Sequence, residues 1–158
     1  MSQAAHGRAG DLVGKLALQP HPEGGWYREI YRSPMRVQTA RGPRSAITTI
    51  YYLLERHQLS RWHVVQADEL WHFYGGAPLQ LLEYDPATRK LVQHELSETC
   101  VAVIPAGVWQ AARSRGEYSL VGCTVGPGFE FADFQFTSDL PSAADHFAGE
   151  LAAFASFL

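Results

Sequence analysis

The sequence predicts an all-β fold, a sandwich or barrel, from three observations. Between about residues 22 and 136 the chain is a succession of short runs rich in aromatic and β-branched residues. Gly, Pro, Asp or Ser bounds each run, as at Gly75-Gly76 and Asp85-Pro86. The runs recur at roughly 8 to 12 residue spacing, the rhythm of antiparallel strands joined by tight turns. Strands are expected at about 26–31, 45–54, 61–65, 69–74, 79–84, 90–96, 100–104, 110–114, 118–125 and 131–136.

The two ends read differently. Leu12, Val13, Leu16 and Leu18 recur at near-helical spacing, and Gln19-Pro20-His21-Pro22 forbids continuation, so one short N-terminal helix is expected. At the other end Phe147, Leu151, Phe154 and Leu158 share one helical face behind Pro141, with Ser142 and Asp145 as a capping pair. This predicts a C-terminal amphipathic helix over about 142–157, covering one sheet of the same chain or packing on a second subunit. Arg32, Arg36, Arg41 and Arg44 border the stretch Ser33 to Arg44, which reads as a solvated loop. No repeat, low-complexity run or linker divides the chain, and residues 1–158 read as one domain with its barrel over about 22–136.

Composition narrows the partners. In 158 residues the hydrophobic set is 46% and charged residues 18%, enough apolar surface for a core. The net charge of -3 offers no positive field for phosphate backbones or anionic lipid, so neither nucleic acid nor membrane is an expected partner. Met1 to Gly10 is polar and small, and Asp11 and Lys15 interrupt the apolar residues after it; no secretory h-region forms and a cytoplasmic location is expected. Cys100 and Cys123 lie in apolar runs without Cys-x-x-Cys spacing and read as buried, reduced thiols. Nothing near Cys123 would lower its pKa.

The chemistry concentrates in Ser60 to Gly76. His63 sits on one expected strand and Glu69 opens the next; a short hairpin at Gln66 to Asp68 would point both side chains the same way. Alternation adds Val65, Trp71 and Phe73 to that face and turns Leu70 and His72 away, which makes His72 a packing residue. Further on, the Pro105-x-Gly107 turn delivers Gln110 at the start of a strand, aimed into the same chamber if the sheets close. Trp62 reads as core, and Trp109 as a wall that a flat ligand or sugar ring could touch. His21 and Glu23 flank the turn into Gly24-Gly25 and read first as a turn that leads into a strand, second as a lid over the barrel mouth.

At these residues the sequence resembles the cupin superfamily, whose motifs read G-x5-H-x-H-x3-4-E-x6-G and G-x5-P-x-G-x2-H-x3-N. His63, Glu69 and Gly76 match the first, Pro105 and Gly107 the second. Val65 and Gln110 stand where two further His would be, so two of four metal-ligand positions are lost. Among the RmlC-like cupins the chain is similar to the cupin_5 group, domain of unknown function 985. The segments that carry this are His21-Pro-Glu-Gly-Gly25, Trp62-His63, Asp68-Glu69-Leu-Trp-His-Phe73, Pro105-Ala-Gly-Val-Trp-Gln110 and Pro127-Gly-Phe-Glu-Phe131. The resemblance implies a double-stranded β-helix (a jelly-roll barrel), a homodimer, and a pocket for a small molecule inside the barrel, without fixing a reaction.

Three functions are expected. Metal-free cupin relatives epimerise sugars with a barrel His at the position of His63, although Ser60 and Arg61 do not reproduce the Arg that precedes it there. On that pattern His63 and Glu69 are the catalytic pair for proton transfer on a sugar or related polar metabolite, with Gln110 orienting the substrate and Trp109, Trp71 and Phe73 walling it. A second reading places a divalent metal on His63, Glu69 and Gln110, although an amide oxygen is a weaker donor than imidazole. A third is a ligand-binding or sensing module without chemistry.

Overall fold

The computed structural model describes residues 7–98 and 101–158. Its first element, α1 (Arg8–Lys15), ends where Leu16 N–H bonds back to Leu12 and Ala17 turns to φ 51°. Leu12, Val13 and Leu16 pack with Leu18, Leu53 and Tyr118 at one end of the barrel. The strands are β1 (Gln19–Pro20), β2 (Trp26–Arg32), β3 (Arg36–Thr39), β4 (Gly42–Ser45), β5 (Thr48–Glu55), β6 (Leu59–Val65) and β7 (Asp68–Gly76). They continue as β8 (Leu79–Asp85), β9 (Lys90–Leu96), β10 (Val101–Ile104), β11 (Trp109–Ser114), β12 (Tyr118–Gly126) and β13 (Phe134–Phe136). No helix among the described residues is long and apolar enough to cross a membrane.

Two antiparallel sheets face each other. One is six-stranded in the order β1-β2-β5-β12-β7-β10, the other five-stranded in the order β13-β6-β11-β8-β9. Between them lies a core in which Tyr52, Leu54 and Trp71 from one sheet meet Leu79, Leu81 and Ala112 from the other. Alternation then fixes the other face of the five-stranded sheet: Trp62, Val64, Leu82, Tyr84 and Trp109 point outward and form a second core under the C-terminal segment. This is the expected jelly-roll barrel with a helix at each end.

Several elements differ from the sequence expectation. The expected hairpin at Gln66 to Asp68 does not form, because β6 pairs with β11 and β13 while β7 pairs with β10 and β12. Gln66-Ala67 instead carries the chain from one sheet to the other. The stretch Ser33 to Arg44 is not a solvated loop; β3 and β4 pair there as a hairpin of their own. Arg41 and Arg44 reach Asp133, each at 2.8 Å, and Asp133 is buried. That clamp ties both arginines to one carboxylate and buries Arg44, while Arg41 stays exposed, which charge density alone does not reveal. The expected strand 131–136 shortens to β13 because Phe131–Asp133 forms a 3-10 turn. Cys100, expected to open a strand and to be buried, lies outside the described residues, and β10 runs from Val101.

The C-terminal helix is also shorter than its periodicity implied. α2 (Ala143–Ala148) stops at Gly149, whose φ/ψ of -108°/-115° is not helical, and Ala152–Phe157 continues in 3-10 turns. Phe147, Leu151, Phe154 and Phe157 still reach the Trp62 and Trp109 surface, and Trp62 Nε1–H donates to Phe154 O at 3.0 Å. The apolar period is satisfied by short turns, and Leu158 stays exposed.

Candidate functional site

At the end of the barrel opposite α1, the sheets part around a cavity of about 290 Å³, at the small end for a ligand pocket. His63 reaches it from β6 because Trp62 beside it points outward. The His63 ring is 2% exposed and stacks on Phe134 with centroids 5.1 Å apart. Its Nδ1–H donates to Arg61 O at 2.7 Å, which leaves Nε2 facing Glu23 Oε2 at 3.2 Å. Both ring nitrogens thus face oxygen, an arrangement that suits an imidazolium beside an ionised Glu23, or a neutral ring beside a protonated one.

Glu23 is placed by its turn. Gly24 and Gly25 take φ +116° and +75°, and a Cβ at Gly24 would stand 1.9 Å from Leu59 O. Only glycine allows the strand and the turn to approach so closely. The Tyr52 hydroxyl donates to Gly24 O at 2.7 Å, and Ser60 Oγ–H donates to Glu23 Oε1 at 2.9 Å. The Glu23 backbone N–H donates to His21 Nδ1 at 3.1 Å. That nitrogen is therefore a lone pair, and burial lowers the His21 pKa in the same direction. The 3.8 Å approach of His21 Nδ1 to Glu23 Oε2 is accordingly not an ion pair.

Glu69 faces this pair from the opposite sheet. Gln110 Nε2–H donates to Glu69 Oε2 at 2.6 Å, and Trp71 Nε1–H donates to Gln110 Oε1 at 2.8 Å. Burial pushes the Glu69 pKa up to about 7; His63 pulls it down, and Glu23 adds to the rise. Cys123 lines the cavity next to Glu69, and burial raises its thiol pKa well above the ordinary value, so it is a packed thiol and not a nucleophile.

The structure brings His63, Glu69 and Gln110 together, the last paired with His63 across β11 and β6. The aromatic residues expected as a wall lie elsewhere. Trp71 is buried deeper along β7, edge-on to Tyr52, and Phe73 packs on the same core. Trp109 faces outward because Gln110 faces inward; it stacks on Phe147 and meets His146 edge-on. His72 is half-buried on the outer face of β7. The actual aromatic lining is Tyr27, Phe129, Phe131 and Phe134. Sequence reasoning gave Glu23 only a turn or lid role, although an acidic residue between His21-Pro22 and two glycines was the available signal.

The family described as Cupin superfamily (DUF985) matches residues 10–137. The chain belongs to that family. Two solved structures resemble this cupin over nearly its whole length. A hypothetical protein from Leishmania major is 28% identical, with a TM-score of 0.80, over 90% of this chain and 96% of that one. A protein from Shewanella oneidensis is 30% identical, with a TM-score of 0.78, over 92% of this chain and 96% of that one. Oxalate decarboxylase from Bacillus subtilis shares the fold alone, at 15% identity and a TM-score of 0.60, over 85% of this chain and 33% of that one. No curated protein matches the cupin.

The metal-ligand set His63, Glu69 and Gln110 does not fit the geometry. Gln110 accepts from Trp71 at its carbonyl oxygen and turns its NH2 to Glu69, so toward that carboxylate it presents a donor and not a ligating oxygen. Nε2 of His63 is taken by Glu23. Among the described residues no three His, Cys, Asp or Glu side chains are arranged to hold a metal ion.

Proposed function

We propose that this cupin binds a small polar metabolite, a sugar or a relative of one, and moves a proton at the carbon next to its carbonyl. This is isomerase- or epimerase-type chemistry. One observation carries the reading: an imidazole with oxygen at both nitrogens stands in the same cavity as a buried carboxylate that changes charge at about pH 7.

In this reading ionised Glu69 takes the C–H proton, and a pKa near the working pH suits a base. His63, as the imidazolium supported by Glu23, gives its Nε2 proton to the carbonyl oxygen. The product is an enediol. Glu69 then returns its proton to the neighbouring carbon while the hydroxyl on the first carbon gives one back to His63 Nε2, which yields the isomer; when the hydroxyl formed from the carbonyl gives its proton back to His63 and Glu69 reprotonates the opposite face of the same carbon after the intermediate turns in the cavity, the product is the epimer. No electrons leave, and no co-reactant enters. Val65, Val125 and Phe134 keep the site apolar, which strengthens the charge interactions within it.

The test is proton exchange in D2O with glucose, mannose, fructose and glucosamine as probes, read by NMR as loss of the C–H signal next to the carbonyl. Wild-type protein is expected to wash out that signal for at least one probe. Glu69→Gln, His63→Asn and Glu23→Gln should each slow the exchange by on the order of 10²-fold or more. Absence of exchange with all four probes, or exchange unchanged in Glu69→Gln and His63→Asn, would falsify the reading.

A further inference from the structure

We propose that the cavity selects a cationic, amine-bearing metabolite and turns away phosphorylated or carboxylated ones, an inference that rests on the binding role given to the cavity above. Charge on its lining is one-sided. Glu23, Glu29, Glu69 and Glu130 stand against the single Arg32 and the His63 ring, which Glu23 already faces at 3.2 Å, among the described residues. Arg32 is the group to which an anion would be expected to bind, and its donors are already committed. Its Nε–H and one Nη2–H donate to Glu29 at 2.9 and 2.8 Å, the second Nη2–H donates to Phe129 O at 2.9 Å, and Nη1–H donates to Glu130 at 3.0 Å. One guanidinium N–H remains, flanked by two carboxylates, which is no receptor for the planar, bidentate grip that Arg gives phosphate or carboxylate.

The other basic groups of this region are no more available. Arg41 and Arg44, from the most basic stretch of the sequence, both bind Asp133. An anion at the cavity mouth would therefore meet Glu29 and Glu130 before any free cation, at a cost that the partly desolvated cavity enlarges.

A cation meets favourable groups instead. Phe129, Phe131 and Phe134 brace one another edge-on at 5.0 to 6.3 Å, and with Tyr27 they line the same space as the carboxylates. Aromatic faces attract an ammonium, and carboxylates accept its hydrogen bonds. The braced rings keep this surface in place before the ligand arrives, so little ordering entropy is lost on binding.

The test uses three probes with one ring and three charges: glucosamine, glucose and glucose 6-phosphate, titrated by calorimetry and by NMR shifts of the cavity residues. Glucosamine is expected to bind about tenfold tighter than glucose or more, with glucose 6-phosphate silent at the same concentrations. Glu29→Gln and Glu130→Gln, made singly and together, free Arg32 by steps. They should weaken glucosamine and admit glucose 6-phosphate, most strongly in the double variant; the single Glu130→Gln, at a half-exposed position, covers the case in which the double variant does not fold. Wild-type protein that binds the phosphate as tightly as the amine, or binds none of the three, overturns the proposal. Glucosamine that binds without proton exchange counts against the catalytic reading alone and leaves charge selection standing.

Discussion

The indole N–H of Trp71 donates to Gln110 Oε1 at 2.8 Å, and this contact decides which end of the amide meets Glu69. Gln110→Leu would strand both Trp71 Nε1 and Glu69 Oε2 in the interior. The expected cost is about 1–3 kcal/mol for each orphaned group. Because the Gln110 bond holds the Glu69 pKa down, its removal should also move the titration upward from about 7. A carboxyl-carbon NMR titration of Glu69 reads this directly, and an unmoved or lowered midpoint would contradict it.

Glu69 should make stability fall with rising pH. Its folded-state pKa is raised from 4.5 to about 7, so the folded protein holds this proton more tightly than the unfolded chain does. The group's favourable contribution is complete below about pH 4.5 and is lost as pH climbs through about 7. Above that range, keeping the ionised group buried costs on the order of 3 kcal/mol. Glu69→Gln should therefore gain stability over wild type at pH 8 and little at pH 4. Denaturant melts at the two pH values check the slope, and parallel wild-type and variant curves would refute it.

Two glycines should respond in opposite directions to alanine. At Gly24 the Cβ would stand 1.9 Å from Leu59 O on a backbone at φ +116°. Gly24→Ala should cost at least about 1–3 kcal/mol in strain and displace Glu23 from His63. Gly14, inside α1, has nothing within 4 Å of its added Cβ, and Gly14→Ala should stabilise by about 0.5–1 kcal/mol. Thermal melts of the two variants separate these outcomes; similar shifts for both would show that the turn tolerates the side chain.

Asp133 should govern the protease resistance of the β3–β4 hairpin. Its two oxygens receive Arg41 Nε–H and Arg44 Nε–H and Nη2–H, while Arg41 also donates to Gln66 O. Asp133→Ala removes the shared acceptor, and the hairpin should open to trypsin at Arg41 and Arg44 while β5 to β12 stay protected. Cleavage at wild-type rates would show that strand pairing alone holds the hairpin.

How much of the molecule was legible in the sequence depended on whether the signal was local. Strand rhythm and breakers identified the all-β barrel because each strand's alternation is written in its own residues. His63, Glu69 and Gln110 stood out because motif spacing survives even where residue types depart from it. Pairing partners were not legible: alternation around His63 and Glu69 is the same whether β6 and β7 form a hairpin or lie in different sheets. Trp109 was misplaced for a related reason. Once Gln110 is aimed inward its neighbour must face out, and the bulk of an aromatic residue says nothing of which core it fills. Glu23 was the hardest to read, since His-Pro-Glu-Gly-Gly is what a tight turn looks like, and only the fold carries that turn to His63. The C-terminal period survived without its helix, because Gly149 broke the backbone while short turns kept Phe154 and Phe157 in reach of Trp62.

The link Gln66-Ala67 places His63 and Glu69 on separate sheets, and so makes their spacing a matter of barrel thickness. That thickness is set by what fills the interior, Trp71 and Tyr52 against Leu81 and Ala112. A bulkier side chain at Ala112 would act as a shim, spreading the two walls without touching a ligand. The distance over which these groups act on a bound molecule is thus encoded in apolar residues remote from it, and sequence drift in the core can retune the site while every polar residue stays the same.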